Sequence, residues 1–383
     1  MKVRHAFLDV YRGLIVLLMI EGHAVREFLL PSLQTSGGFR IHEFIHGVTG
    51  PGFLFGAGIT FGISIQHRWA EYLSLTPTLF RRIRRIMLLI LLGYALHLPF
   101  LSLQKTLSAS TREQWLSLYD VDVLQCIGFT LLIAHLLMFV VRQERWFPAT
   151  LLLAMLGVLF ATPFVWETDL THLPVAVSMA LQGALGSVYP LFPYSAFLFA
   201  GAFASYEFMK FAQIGREDVF VKRLALAGLF LIVSGTVLLA ATKGSELGAE
   251  FWNGDPIMVL IKLGSLFVLL SGAWLFEKNL RSLWDSAPMR WIVLIGVESL
   301  FVYVLHLVLL YGSVINADVH FSTLWKGRLD WTSALAMSVV FTGILALSAW
   351  AWNKVKIGHP ELSRLIMLWM VIVFGYEFLT RAY

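Results

Sequence analysis

One cysteine, Cys126, in 383 residues excludes an intramolecular disulfide framework and leaves the redox compartment open. Charge is scarce too. Asp, Glu, Lys and Arg make up 14% of the chain, against about 25% in soluble domains. Hydrophobic residues reach 58% and the mean hydropathy is +0.75, a balance that excludes a soluble globular domain and leaves a polytopic membrane protein. No basic stretch with interleaved aromatics sits in a soluble segment, so the net charge of +5 points to membrane topology and not to nucleic acid. The first apolar run lacks a small-residue cleavage pattern and contains Glu21 and His23, which argues against a removable signal peptide.

What is present is a series of long apolar runs. Eleven segments are long enough to span, at about 20 residues each. They are residues 7–29, 47–66, 83–103, 122–141, 148–166, 190–209, 223–242, 257–276, 291–313, 331–352 and 362–380. The expected fold is therefore all-α: a polytopic helical membrane protein of about 11 transmembrane helices, read as a single domain over 1–383. The stretch 173–189 is too mixed for a further span and is read as re-entrant or interfacial. With the N-terminus inside, twenty of the 29 Lys and Arg residues fall on the cytoplasmic side and eight outside, with Lys262 within a span. This bias predicts a cytoplasmic N-terminus and an outer C-terminus. Gly52-x-x-x-Gly56 and Gly58-x-x-x-Gly62 in the second span are read as packing glycines.

Ionisable groups inside such spans are costly and tend to mark sites. The first span carries Asp9, Arg12, Glu21 and His23. Eleven residues separate Arg12 from His23, which returns the helix to nearly the same face after about 16 Å. On the predicted topology, Glu21, His23, His42, Glu43, His46, His97, Asp122, Gln125 and His306 lie toward the outside. Imidazole and carboxylate there suit proton transfer near neutral pH. Asp9, Arg12 and the run Arg81-Arg82-Ile83-Arg84-Arg85 lie inside, where guanidinium suits phosphate. Simpler readings stand beside these. The arginine run also serves as a positive-inside anchor, and Asp9 and Arg12 make a local i,i+3 pair. His23 and His306 also fit structural histidines bonded to neighbouring helices, and His135 fits packing.

His42-Glu43-Phe44-Ile45-His46 is a formal H-E-x-x-H match, which on a helix would place two imidazoles on one face for zinc. The following residues do not continue as a metzincin motif, and the next downstream carboxylate, Glu71, falls on the opposite side of the membrane. His42 and His46 are therefore read as proton-handling, substrate-binding or ordinary loop histidines, and no metal is expected.

Leu8-Asp9-x-x-Arg12-Gly13-Leu14 followed by His23 resembles the first helix of the transmembrane acyltransferases, which comprise the acyltransferase-3 and heparan-α-glucosaminide N-acetyltransferase-like groups. Pro51-Gly52-Phe53-Leu54-Phe55-Gly56-Ala57-Gly58 looks like the second-helix motif of the latter group. Val123-Leu124-Gln125-Cys126-Ile127-Gly128 is similar to its V-L-Q-R-I/L-G motif, with Cys126 in place of Arg. Ser299-Leu300-Phe301-Val302-Tyr303-Val304-Leu305-His306 looks like its late helix ending in histidine.

The resemblance implies transfer of an acyl group, commonly acetyl, from cytoplasmic acyl-CoA to a sugar hydroxyl or amine across the bilayer. It places a catalytic His at His23, with His42 or His46 as alternatives in the following loop. It also matches an R-x-x-x-R element to Arg81–Arg85. On this reading Arg12, Arg81, Arg82, Arg84 and Arg85 hold the donor, and Asp9, Glu21, Gln125 and His306 support the site. The expected partners are acyl-CoA, a glycan acceptor and the lipid bilayer, in a bacterial cytoplasmic membrane. A proton-coupled transporter is the competing class, and an intramembrane zinc protease resting on His42 and His46 is a third.

Overall fold

The computed structural model describes residues 6–243, 255–279, 286–316 and 318–381. Of the cations used for topology, Lys2, Arg4 and Arg281 lie outside the described residues. From the N-terminus, α1 is Ala6–Phe28, α2 Gly37–His46, α3 Thr49–Gln66, α4 Trp69–Tyr72 and α5 Pro77–Leu96. Next come α6 (Leu103–Ala109), α7 (Arg112–Tyr119), α8 (Val123–Val141) and α9 (Phe147–Glu167). They are followed by α10 (Val175–Leu181), α11 (Leu191–Gln213), α12 (Glu217–Lys243) and α13 (Pro256–Asn279). The chain closes with α14 (Ala287–Val297), α15 (Ser299–Tyr311), α16 (Phe321–Trp325), α17 (Trp331–Gly358) and α18 (Pro360–Thr380). Among the described residues there is no strand, only an isolated bridge between Leu29 and Leu329.

The fold is thus all-α, and each of the eleven expected segments falls on this set of helices. By length and composition, seven segments among the described residues can cross a membrane, or eight if α14 and α15 count as one. Charge explains part of the difference from eleven. Asp9, Arg12, Glu21 and Arg26 interrupt α1, and four arginines open α5. The expected span 291–313 is not continuous. It breaks at Glu298, where α14 and α15 meet at 84°. The stretch 173–189 contains only the seven-residue α10.

The chain gathers into two compact units that interleave along the sequence. Unit 1 is Met1–His46, Ala95–Leu118 and Arg281–Tyr383; unit 2 is Gly47–Tyr94 and Tyr119–Leu280. In unit 1, α1 is the central element, with Val16, Ile20, Ala24, Val25 and Phe28 fully enclosed. It meets α14 backbone to backbone. A Cβ on Gly13 would strike the Ile292 carbonyl, and one on Gly296 would strike the Asp9 carbonyl. Small residues at such crossings let helices approach closely in lipid. α17 also packs on α1, and its start is fixed by Asp330. The Asp330 Oδ1 accepts the Ser333 N–H at 2.8 Å and the Thr332 hydroxyl at 3.0 Å. Those bonds, the Ser333 N–H first, hold the carboxyl below its ordinary value.

In unit 2, α11 is the buried helix, with Tyr194, Phe197, Leu198 and Phe199 in its core. α3 lies along it, where Gly58 faces the Leu198 carbonyl and Gly201 faces the Phe55 carbonyl. The second-span glycines therefore act as packing residues. Gly157 on α9, by contrast, opens onto empty space. Gly58→Ala should cost about 1–3 kcal/mol by overpacking, and Gly157→Ala should be neutral or stabilising by up to about 1 kcal/mol. Thermal melts of the two variants in the same detergent check this.

Candidate functional site

His42, His46 and His306 of unit 1 converge on Glu21 and His23 in the second half of α1. An eleven-residue step keeps Arg12 and His23 on one face of this unbroken helix. His23 meets α15. Its Nδ1 lies 3.0 Å from His306 Nε2, and the two rings stack with centroids 5.2 Å apart and 24° between planes. His306 is fully buried. Tyr303 packs edge-on against it at 5.3 Å, and Tyr311 packs edge-on against His23 at 6.1 Å. His306 Nδ1 is buried without a hydrogen-bond partner among the described residues.

Two residues earlier the helix has turned about 200°, so Glu21 faces away from His23. It meets α2 instead. Glu21 Oε1 is 3.3 Å from His42 Nε2, and Glu21 Oε2 is 2.6 Å from His46 Nε2. His46 Nδ1 donates to the Leu18 carbonyl at 2.8 Å. Gly22 makes this approach possible, because a Cβ there would run into the His46 ring. As an i,i+4 pair on one turn of α2, His42 and His46 lie with ring centroids 4.0 Å apart and planes tilted by 43°. Phe39 and Trp331 pack on the His42 ring at 5.8 and 5.9 Å. Glu43 points elsewhere, to an ion pair with Arg26 in which the Arg26 Nε donates to Oε1 at 3.0 Å. The carboxylate that a metalloprotease would use as general base is thus already engaged.

The break between α14 and α15 aims His306. Glu298 is 4% exposed and accepts from Asn353 Nδ2 at 2.6 Å and from the Lys356 ammonium, both on α17. This ion pair ties the turn between the two half-helices to α17.

The remaining sequence-read residues sort as follows. Arg12 stands 3.6 Å from Asp9 in the expected local ion pair. Arg81, Arg82, Arg84, Arg85 and Gln125 belong to unit 2. Arg81, Arg84 and Arg85 are exposed on α5. Arg82 is turned inward. It donates to Ser64 Oγ at 2.8 Å and to the Tyr72 hydroxyl at 3.3 Å, with its guanidinium over the Phe61 and Tyr72 rings. Gln125 is buried and donates to the Asp120 carbonyl at 3.3 Å. His135 packs as expected, its Nδ1 donating to the Leu131 carbonyl at 2.7 Å. Sequence reading missed Glu298, Asn353 and Lys356 as supports of the His306 helix. Nothing local in the sequence marks a pairing across 55 to 58 residues.

A family model for the acyltransferase-3 acyltransferase domain matches residues 5–352. No curated protein matches the chain.

Lys356→Met should destabilise the protein by about 2 kcal/mol. That is less than the about 3–5 kcal/mol for a fully buried pair, because Lys356 is 40% exposed. The double variant Glu298→Gln/Lys356→Met should recover part of the loss. Detergent thermal melts read both.

Proposed function

Because the chain belongs to the acyltransferase-3 family, a family of membrane acyltransferases, we propose that it moves an acyl group, acetyl in the first instance, from acyl-CoA to a sugar hydroxyl or amine, with His23 as general base. The contact between His23 and His306 carries this reading. His306 Nδ1 is buried without a hydrogen-bond partner among the described residues, and in the proposed state it carries the hydrogen. The Nε2 lone pair of His306 then accepts from His23 Nδ1–H, which leaves His23 Nε2 as the basic nitrogen. His306 in this account is a positioning residue that selects the tautomer of the base.

The step is acyl transfer. His23 Nε2 takes the proton as the acceptor oxygen or nitrogen attacks the thioester carbonyl, and the C–S bond breaks to release the thiolate, which is then protonated. The Lys and Arg bias supports a cytoplasmic N-terminus, which sets the His23 end of α1 toward the outside and places the acceptor there. A bacterial cytoplasmic membrane fits that arrangement. On unit 2, we assign the exposed Arg81, Arg84 and Arg85 as a surface for phosphate groups, and leave Arg82 out because Ser64 and Tyr72 engage it. Membership of an acyltransferase family weighs against the transporter, and the Arg26–Glu43 ion pair weighs against the protease.

Membranes containing the protein should transfer label from radiolabelled acetyl-CoA to an outer glycan. His23→Ala should reduce transfer about 10²–10⁴-fold while its elution profile in detergent stays that of the parent. An unchanged rate in that variant removes His23 from the chemistry, and no transfer from any acyl-CoA by the parent removes the donor class.

A further inference from the structure

We propose that Glu21, His42 and His46 form a binding site for one divalent metal ion of the zinc type, a site separate from the His23–His306 pair and independent of the acyl-transfer reading. The three residues each offer a ligand atom, and these atoms lie within 4.8 Å of one another. The sequence alone predicts no metal here because a third ligand for the histidine pair is sought downstream. The structure supplies one from upstream: α1 brings Glu21 to the face of α2 that carries both imidazoles.

The hydrogen bonding around the cluster is that of a metal site. The Leu18 carbonyl can only accept, so the 2.8 Å contact places a hydrogen on His46 Nδ1. The second nitrogen of His46 then directs its lone pair at Glu21 Oε2, 2.6 Å away. At that distance either one added hydrogen or a bound cation stands between the two atoms, and a metal ion would do so with both rings neutral. His42 shows the same demand from the other side. With its Nε2 donating to Glu21, its buried Nδ1 is left with no hydrogen-bond partner among the described residues. With its Nε2 on a metal, Nδ1 carries the hydrogen and faces the Glu43 carboxylate at 3.8 Å. His46 would then have the outer partner that metal-bound histidines usually have, the Leu18 backbone carbonyl.

One divalent ion would satisfy two neutral imidazoles, with ring centroids 4.0 Å apart, and a carboxylate together, whereas hydrogens alone leave the His46–Glu21 contact dependent on one added proton. For a tetrahedral zinc with bonds of about 2.0–2.1 Å, ligand atoms stand about 3.3 Å apart. The 3.3 Å spacing to His42 matches, the 2.6 Å His46 contact would open by roughly 0.7 Å, and the widest spacing, up to 4.8 Å, would close by side-chain rotation on binding. Two nitrogens and one oxygen suit zinc and its first-row neighbours better than magnesium or calcium. The ion would pin α2 to α1 two residues from His23. With Glu43 held by Arg26, it carries no protease-type base.

The test is metal analysis of the full chain, purified in detergent through a tag without histidine. About one zinc per chain is expected, and stripped protein titrated with cobalt should develop the visible absorption of a tetrahedral site. His42→Ala, His46→Ala and Glu21→Gln should each lose the bound zinc and the cobalt spectrum, while His23→Ala should retain both. If the parent holds no stoichiometric metal and gives no cobalt spectrum, the proposal is overturned and the cluster is a protonated imidazole–carboxylate pair. Loss of metal in His23→Ala would also overturn it. These readouts need no turnover, so they stand or fall apart from the transferase reading, and the parent's own spectrum decides the matter if a variant does not fold.

Discussion

A polar group on a helix that enters a membrane must find its partner inside the protein, and unit 1 is arranged around that constraint on α1. Lipid offers no hydrogen bonds, so each ionisable side chain is either paired or expensive. Asp9 and Arg12 meet within the helix. Glu21 turns to His42 and His46 on α2, and Arg26 to Glu43 on the same helix. His23, on the other face, turns to His306. Gly13 and Gly22 are the enabling positions, since a side chain at either would separate α1 from the backbone or ring it must touch.

This arrangement divides the histidines by role. His23 stacks on the buried His306 ring, the contact on which its proposed role as base rests. His42 and His46 face a carboxylate and each other, a setting that suits cation binding better than proton abstraction. The choice among three histidines that the sequence leaves open is therefore narrowed by which face of α1 each one meets. The half-helix α15 completes the pair. Its 84° turn away from α14 is held by Glu298, Asn353 and Lys356, so α17 takes part in placing His306.

Much of the fold was legible in the sequence because hydrophobic length is a local signal: all eleven apolar runs become helices. The same signal could not show the break at Glu298, since one carboxylate in an apolar run reads as a tolerated charge until its partners on α17 are known. The one-face relation of Arg12 and His23 followed from helix period alone. By the same period Glu21, two residues before His23, turns to another face. Partner identities were not legible. His306 follows His23 by 283 residues, and Glu21 precedes the histidines it serves, against the downstream direction in which metal motifs are usually read. Arg82 shows the limit of composition. Four arginines in five residues look equivalent, yet only the fold shows that Arg82 is stacked between aromatic rings.

The central claim is that His306 acts through His23. A double-mutant cycle on the rate of acetyl transfer tests it most directly, with His23→Ala, His306→Ala and the double variant measured at saturating acceptor. A unit of base and positioning residue behaves non-additively. The double variant should be no slower than His23→Ala alone, with the His306 effect appearing in kcat and not in KM. Independent losses that multiply in the double variant would contradict the account.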